Sequence, residues 1–312
     1  MGKRGLRRFL GVQGLNRIRV RLLFVKARFA VIPAAGKGTR FLPVTKAVPK
    51  ELLPIIDVPA LQLVMDEAIA GGAEHIVLVS SQVKPGIEAY VRPDAEIVQR
   101  VRASGREDLA DRLARIGSDV QVSVVYQDEP RGLGHAVGCA RSVVADEPFA
   151  VLLPDEIMGD ARLITQLSQS VHDTGVSAVG LMRVPRDQVS AYGVITPREG
   201  DSGPGPFGII DVVEKPREQD APSNLIIIGR YVLTPDVFDH LDALVPSANG
   251  ELQLTDALRE QAMLSPLTGI MNKSARYDTG TPQGWLTAVI DIALQRGDVG
   301  PSLEAWLRER LS

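Results

Sequence analysis

A Gly-rich stretch directly after a short apolar run is the feature of this 312-residue chain that most constrains its fold. Residues 29–33 read Phe-Ala-Val-Ile-Pro, and the stretch continues as Ala34-Ala-Gly-Lys-Gly-Thr-Arg40. The apolar run predicts a buried strand, and the small residues after it let backbone N–H groups approach a ligand closely. Because Arg40 and, further along, Lys50 add positive charge, the pattern predicts a loop that binds an anion.

Two common phosphate-binding loops do not fit this stretch. A Walker loop requires Gly-x-x-x-x-Gly-Lys-Ser/Thr, whereas Gly36-Lys-Gly-Thr39 inverts that order. The dinucleotide fingerprint requires a third Gly and a helix that begins at once, and neither follows Gly38. We therefore expect neither a P-loop fold nor a dehydrogenase.

Apolar runs alternate with helix-like segments along the chain, which favours an α/β fold. Helical patterns are predicted at 59–70, 86–115, 134–144, 160–174, 235–244, 251–263 and 282–295. Strands are predicted at 29–33, 75–80, 120–126, 149–153, 177–183, 193–196, 209–214 and 225–233. We expect one domain, residues 29–312, with a Rossmann-like, mixed but mostly parallel central sheet flanked by helices.

The first 28 residues differ in charge from the rest of the chain. They contain nine Lys or Arg residues and no acid, so the formal net charge of −3 leaves about −12 for the remainder. Arg interrupts their apolar residues every few positions, which argues against a signal peptide. We predict a flexible extension that is dispensable or results from a misassigned translation start. Because no apolar run is long enough to span a bilayer, we also predict a cytoplasmic protein without a membrane partner.

Composition excludes several other kinds of site. Cys139 is the only cysteine, so intramolecular disulfides and multi-cysteine zinc sites are excluded. Aromatic residues make up 4% of the chain, which argues against a platform for single-stranded nucleic acid. His135 and Cys139 lie four residues apart on one predicted helix, and we interpret both as packing residues.

Several short motifs, in matching order, resemble the sugar-nucleotide pyrophosphorylases. The first two are Ala34-Ala-Gly-Lys-Gly-Thr-Arg-Phe-Leu-Pro43 and Pro49-Lys-Glu-Leu-Leu-Pro54. The others resemble one branch, the bacterial UTP:glucose-1-phosphate uridylyltransferases: Gln127 with Gly132-Leu-Gly-His-Ala136, Leu153-Pro-Asp-Glu156, Ala191-Tyr-Gly-Val194, Val213-Glu-Lys-Pro216, Asn224 with Gly229-Arg-Tyr-Val-Leu233, Glu251-Leu-Gln-Leu-Thr-Asp-Ala257 and Asp278-Thr-Gly280. The match extends from about residue 28 to the end of the chain.

The resemblance implies a nucleotidyltransferase fold, similar to that of type-A glycosyltransferases, and a defined reaction. A sugar-phosphate oxygen of glucose 1-phosphate would attack the α-phosphorus of UTP and displace pyrophosphate in line, with Mg²⁺ as the cofactor. Such chemistry needs positioning and charge neutralisation rather than a nucleophile with its base. The expected partners are these small substrates and a second copy of the chain, in a homodimer or homotetramer, with no nucleic acid.

The resemblance also implies a role for individual residues. Arg40, Lys50 and Lys215 would be catalytic, since their charges offset the repulsion between two anionic substrates. Asp155 and Asp278 would hold Mg²⁺, and Asp155 follows a predicted strand at the sheet edge where open α/β folds bind ligands. The nucleotide would contact Ala34, Ala35, Gly36, Gly38, Gln127 and Gly132, and the sugar phosphate would contact Gly193, Glu214, Lys215, Asn224 and Gly229.

The sequence leaves three questions open. Neighbouring residues on a strand point to opposite faces, so Glu214 and Lys215 need a bend to serve one ligand, and Pro216 is the candidate for it. Glu156, beside Asp155, is a second candidate ligand for the metal. The same residues also fit thymidylyl or adenylyl transfer, or a non-catalytic sensor of sugar nucleotides.

Overall fold

A computed structural model describes residues 27–201, 205–247 and 250–312. The predicted basic extension therefore lies outside the described residues except for its last two positions. The backbone carbonyl of Arg28 accepts hydrogen bonds from the N–H groups of Glu74 and His75. Its guanidinium pairs with Glu74 at 2.9 Å and with Glu147 at 3.2 Å. Arg28 is thus held against the folded chain, while the boundary at residue 28 stays a prediction.

The described residues alternate between strands and helices as the sequence predicts. The strands are β1 (Phe29–Pro33), β2 (Pro54–Ile55), β3 (Val58–Pro59), β4 (His75–Ser80), β5 (Gln121–Tyr126), β6 (Phe149–Leu152), β7 (Glu156–Met158), β8 (Ala178–Arg183), β9 (Gly193–Pro197), β10 (Phe207–Glu214), β11 (Leu225–Leu233), β12 (Leu267–Met271) and β13 (Arg276–Asp278). The α-helices are α1 (Ala60–Gly71), α2 (Pro85–Val91), α3 (Ala95–Ala103), α4 (Glu107–Arg115), α5 (Leu133–Gly138), α6 (Arg141–Val144), α7 (Arg162–Thr174), α8 (Val237–Ala243), α9 (Leu254–Leu264), α10 (Pro282–Gln295) and α11 (Gly300–Leu311).

A nine-stranded sheet forms the centre of the molecule, in the order β5-β4-β1-β6-β11-β8-β12-β10-β9. Strands β5, β4, β1 and β6 pair in parallel, as do β8 and β12. The long strands β10 and β11 run in the opposite direction and pair antiparallel with all their neighbours. The prediction of a mixed sheet is confirmed, but a parallel majority is not, because these two reversed strands make half of the adjacent pairings antiparallel.

Some elements escaped the sequence pattern. The polar region 86–115 is divided into α2, α3 and α4 rather than forming one helical segment. Strand β12, Leu-Thr-Gly-Ile-Met, was not predicted because it is short and contains Gly269, yet it fills the position between β8 and β10. The helix α11 and the paired strands β7 and β13 were also missed. Pairing with distant segments, which a local pattern does not contain, creates these strands.

Helices cover both faces of the sheet. Ile32 of β1 packs on one side with Leu61 of α1 and Leu163 of α7. Val31 packs on the other side with Phe238 of α8, in the cluster that also includes α5 and α9. This alternation explains why β1 is apolar at consecutive positions. Within the described ranges, no helix has the length and apolar character needed to cross a membrane.

The carboxyl ends of the parallel strands meet at one edge of the sheet, as they must. Strand β11 extends past that edge, because its residue Arg230 already pairs with Leu152, the last residue of β6. Beyond this point Ile226 pairs with Val194 of β9. The second half of the sheet therefore extends beyond the carboxyl ends of the parallel strands. It lies beside the loops that follow β1, β5 and β6.

A completely buried guanidinium connects the two halves. Arg230 is 0% exposed, and its Nε and Nη2 atoms donate to the Glu67 carboxylate of α1 at 2.9 and 2.6 Å. Its other N–H groups donate to the backbone carbonyls of Gly229, Leu153 and Glu156 at 2.8, 3.2 and 2.6 Å. The charge is therefore compensated and all its N–H groups are hydrogen-bonded. These hydrogen bonds also fix the turn between β6 and β7.

Replacing Glu67 tests this buried pair. Glu67→Ala leaves a buried guanidinium without its counter-ion, so we expect the free energy of unfolding to fall by about 3–5 kcal/mol. Urea titration followed by circular dichroism measures the change. Glu304→Ala, which breaks an exposed pair with Arg308 on α11, is the matched control and should leave the midpoint almost unchanged. Equal shifts in both variants would contradict a structural role for the buried pair.

Candidate active site

A cleft of about 560 Å³ opens at the carboxyl edge of the parallel strands. Its walls are the Gly-rich loop after β1, the segments after β5 and β6, and residues just before α9. Six of the predicted site residues line it: Ala35, Gly36, Lys50, Gln127, Gly132 and Asp155. The structure thus brings residues from across 120 positions of sequence into one cavity.

Protein contacts fix the conformation of the Gly-rich loop. The N–H of Ala34 donates to Val79 at 2.7 Å and extends the β1–β4 ladder. Gly38 has a φ of 64°, and its carbonyl accepts a 2.8 Å hydrogen bond from the Thr45 hydroxyl. A side chain at Gly38 would be strained in this left-handed conformation. Ala34 itself is completely buried and does not line the cleft, whereas Ala35 and Gly36 do.

A buried ion pair supports the loop from behind. Lys84 Nζ donates to the carbonyl of Ala34 at 2.9 Å and to both oxygens of Glu51 at 3.1 and 3.0 Å. Glu51 is 1% exposed, and burial raises its pKa despite the Lys84 charge, while burial lowers the pKa of Lys84. Sequence reasoning missed this pair, because nothing near Glu51 indicated a partner 33 positions later.

Two cations and two carboxylates meet at one end of the cleft. Lys50 Nζ lies 2.6 Å from Asp155 Oδ2. Arg40 donates to the carbonyl of Gly280 at 3.4 Å, and the N–H of Gly280 donates to Asp278 Oδ1 at 2.9 Å. Four residues predicted from separate motifs are therefore assembled around the backbone of Gly280.

The loop that carries Asp278 is tied to Asp155 by its backbone. Thr279 donates to the carbonyl of Asp155 twice, from its N–H at 2.7 Å and from its hydroxyl at 2.9 Å. Burial alone would raise the pKa of Asp155, but the charge and hydrogen bond of Lys50 outweigh burial and lower this pKa. The Asp155 carboxylate is consequently ionised at neutral pH.

Carboxylate oxygens of Asp155 and Asp278 border the space above Gly280. A Cβ placed on Gly280 would lie 3.1 Å from Asp278 Oδ1 and 3.2 Å from Asp155 Oδ2, so a side chain there would crowd both carboxylates. Among the described residues, no group of three or more His, Cys, Asp or Glu side chains is suited to a metal. An ion held here would take its remaining ligands from water and substrate phosphates, which is typical of Mg²⁺.

Glu156, the second candidate ligand for the metal, forms an ion pair with an arginine. Arg276 donates to both of its carboxylate oxygens at 2.7 and 2.9 Å. The same guanidinium lies 5.5 Å from the ring centre of Tyr192, in a cation–π contact. Glu156 therefore holds β7 and β13 together rather than facing the space above Gly280.

The opposite end of the cleft is formed by Gln127, which is 5% exposed. Its Nε2 atom lies 3.1 Å from the carbonyl of Gly132 and 2.9 Å from Nδ1 of His135. Gly132 has a φ of 94°, and a Cβ there would meet the carbonyl of Leu252 at 2.6 Å. His135 was predicted to serve packing and in addition hydrogen-bonds a site residue, whereas Cys139 packs against the core as predicted.

Glu214 and Lys215 form a third group beside the cleft. Lys215 has a φ of 44°, an uncommon value for a residue with a side chain. Its ammonium consequently lies 3.0 Å from Glu214 Oε1. The required bend is thus at Lys215 itself, not at Pro216. The other oxygen of Glu214 accepts a 2.7 Å hydrogen bond from Thr255, and a Cβ on Gly193 would lie 3.4 Å from it.

Gly229 and Asn224, which were predicted to contact the sugar phosphate, form contacts with other residues of the chain. Gly229 accepts the N–H of Leu153 at 2.9 Å, and a Cβ there would lie 2.7 Å from Leu153 Cβ, so close strand packing requires glycine. The side-chain oxygen of Asn224 accepts a 2.9 Å hydrogen bond from Arg183. The structure does not show Asn224 in contact with Glu214 or Lys215.

Known proteins resemble the chain over most of its length. The family model described as nucleotidyl transferase matches residues 29–294. The UTP–glucose-1-phosphate uridylyltransferase of Bacillus subtilis is 38% identical over 289 residues, covering 91% of this chain and 98% of that protein. The protein of the same name from Streptococcus pneumoniae is 41% identical over 287 residues, covering 90% and 95%.

Solved structures agree. A UTP-bound UGPase from Acinetobacter baumannii superimposes with a TM-score of 0.83 at 32% identity, covering 90% of this chain and 99% of that chain. A UDP-glucose pyrophosphorylase complexed with UDP-glucose gives 0.78 at 36% identity, covering 86% and 99%. The resemblance inferred from the motifs is confirmed, and the chain belongs to the nucleotidyl transferase family.

Proposed function

We propose that this chain transfers a uridylyl group from UTP to glucose 1-phosphate and releases pyrophosphate. The observation that carries the proposal is the convergence of Arg40, Lys50, Asp155 and Asp278 around Gly280, at the end of a cleft whose Gly-rich loop suits phosphates. Relatives that share these motifs are named for this reaction. Solved structures of the family are described with UTP and with UDP-glucose.

The nucleotide would lie along the cleft with its base near Gln127. Both N–H groups of the Gln127 amide have partners within the protein, so its oxygen is the atom that can accept the ring N3–H of uracil. Ala35 and Gly36 line the cleft between the base and the cations, where backbone N–H groups can meet the phosphates. This orientation directs the triphosphate toward Lys50.

Lys50 and Arg40 would neutralise the charge that builds on the leaving pyrophosphate. The attacking oxygen of the sugar phosphate is already ionised, so no general base is required. The rate then depends on holding the two phosphates in line and on offsetting their repulsion. Lys50 is well placed for this task because Asp155 fixes its ammonium from one side.

Asp155 and Asp278 would hold Mg²⁺ in the space above Gly280. When bound there, the ion would neutralise and align the phosphate oxygens of the two substrates. The charged state of Asp155, favoured by Lys50, keeps that carboxylate ready as a ligand. Thr279, which bonds the backbone of Asp155, keeps the two carboxylates adjacent.

The sugar would be bound by the group at the end of β10. Glu214 can accept hydrogen bonds from sugar hydroxyls, and Lys215 can meet the sugar phosphate, because the bend at Lys215 brings both charges together. A side chain at Gly193 would lie against Thr255 and Glu214, so glycine there would let the sugar approach Glu214. Asn224 and Gly229 would stabilise the strands that carry this sugar site. Asn224 does so through its hydrogen bond with Arg183, and Gly229 through its close packing against Leu153.

Other features stay predictions from the sequence. They are the cytoplasmic location, the homodimer or homotetramer, the flexible extension of residues 1–28 and the single domain of residues 29–312. We propose a Rossmann-like character only for the parallel half of the sheet, β5-β4-β1-β6, which carries the proposed nucleotide contacts.

Substrate choice tests the proposal directly. Purified protein should release pyrophosphate from UTP plus glucose 1-phosphate with Mg²⁺, with kcat/KM about 100-fold or more above CTP or ATP in the same assay. A panel that also includes dTTP and galactose 1-phosphate checks the nucleotide and the sugar separately. Faster turnover with another pair would overturn the substrate assignment, and no turnover with any pair would favour a sensor.

The proposed metal ligands have their own test. Asp155→Asn and Asp278→Asn should each lower kcat by at least about 100-fold, because Asn lacks the charge that holds the cation. The melting temperature of Asp278→Asn should stay close to that of the wild type, since Asn preserves the shape and one acceptor oxygen. Asp155→Asn should lower it modestly, because Lys50 loses its ion pair. Asp291→Asn, at an exposed position of α10, is the matched control. Wild-type rates in either site variant would remove the metal assignment.

A further inference from the structure

The Gln127 amide is held in one orientation by two hydrogen bonds. Its Nε2 atom contacts the carbonyl of Gly132 at 3.1 Å and Nδ1 of His135 at 2.9 Å. A carbonyl oxygen can only accept, so the Gly132 contact identifies Nε2 as a donor. The second hydrogen of the same nitrogen then points to His135, whose Nδ1 must accept it.

This arrangement also defines the tautomer of His135. An accepting Nδ1 carries no proton, so the neutral ring carries its proton on Nε2. Burial and the charge of Arg131 both lower the pKa of His135, while Glu129 acts in the opposite direction. The neutral ring that the hydrogen bond requires is therefore the favoured form at neutral pH.

One atom of the amide is left for a ligand. Gln127 lines the cleft, and its Oε1 atom forms no hydrogen bond among the described residues. A free acceptor suits a pyrimidine that carries a hydrogen at ring position N3, as uracil does. Cytosine presents an unprotonated, accepting nitrogen at that position, so two acceptors would face each other and both would lose a partner.

We propose that His135 is a positioning residue for base selection: by accepting from Gln127, it keeps Oε1 turned to the cleft and so favours UTP over CTP. The inference rests on the proposed function, since it concerns the nucleotide of that reaction. Gly132 supplies one restraint on the amide and His135 the other. Without the second restraint, the amide loses a partner for one N–H and gains freedom to turn.

Two substitutions separate this role from packing. His135→Phe keeps a ring but removes the acceptor, and His135→Asn can place an amide oxygen near the former Nδ1 position. We expect His135→Phe to lower the ratio of kcat/KM for UTP to that for CTP by about tenfold. The KM for glucose 1-phosphate should change little, and His135→Asn should recover most of the ratio.

A distant histidine provides the matched control. His75, at the amino end of β4, is partly buried and loses a 2.8 Å hydrogen bond to Ser123 in the variant His75→Phe. Its UTP:CTP ratio should equal that of the wild type. An active His135→Phe enzyme with an unchanged ratio would overturn the inference. In that case the wild-type reaction with UTP would still stand, so the two failures are distinguishable.

A measurement on the wild type keeps the inference testable if His135→Phe does not fold. In protein labelled with ¹⁵N-histidine, the two ring nitrogens have different chemical shifts when protonated and unprotonated. At neutral pH we expect an unprotonated Nδ1 and a protonated Nε2 for His135. A proton on Nδ1 would overturn the inference, because that nitrogen could not then accept from Gln127.

Discussion

The buried guanidinium of Arg230 is the interaction on which the arrangement of the site depends. It bonds the carboxylate of Glu67 and three backbone carbonyls, including those of Leu153 and Glu156 on either side of Asp155. Its planar fork offers N–H groups in fixed directions, so α1, β11 and the turn after β6 are held in one geometry. The position of Asp155 follows from that geometry.

Other buried ion pairs hold further parts of the cleft in a similar way. Lys84 and Glu51 support the Gly-rich loop from behind, and Arg276 with Glu156 ties β13, and therefore Asp278, to β7. Each partner is expensive to leave unpaired in a buried position. Lys50 and Lys215, which are proposed to meet substrate phosphates, instead pair with carboxylates at less buried positions, where an incoming phosphate can compete for them.

Much of the fold was predictable because its signals are local. The apolar run of β1, the strands β4 and β11, and the helix α10 follow from periodicity, and the loop after β1 follows from its small residues. Strand direction was not predictable in the same way. Whether β10 and β11 run with or against their neighbours depends on which distant strands they join, and β12 becomes a strand only through its neighbours β8 and β10.

The sequence by itself determined which charged residues are candidates for the site, since Arg40, Lys50, Asp155, Lys215 and Asp278 stand in motifs that a few neighbouring residues define. The tertiary structure alone decided what each side chain does to the others. In the folded chain Glu156 forms an ion pair with Arg276, the backbone bends at Lys215, and His135 hydrogen-bonds Gln127. The physical reason is that a hydrogen bond or ion pair depends on distances of a few ångströms between residues as much as 240 positions apart, and local sequence patterns do not specify those distances.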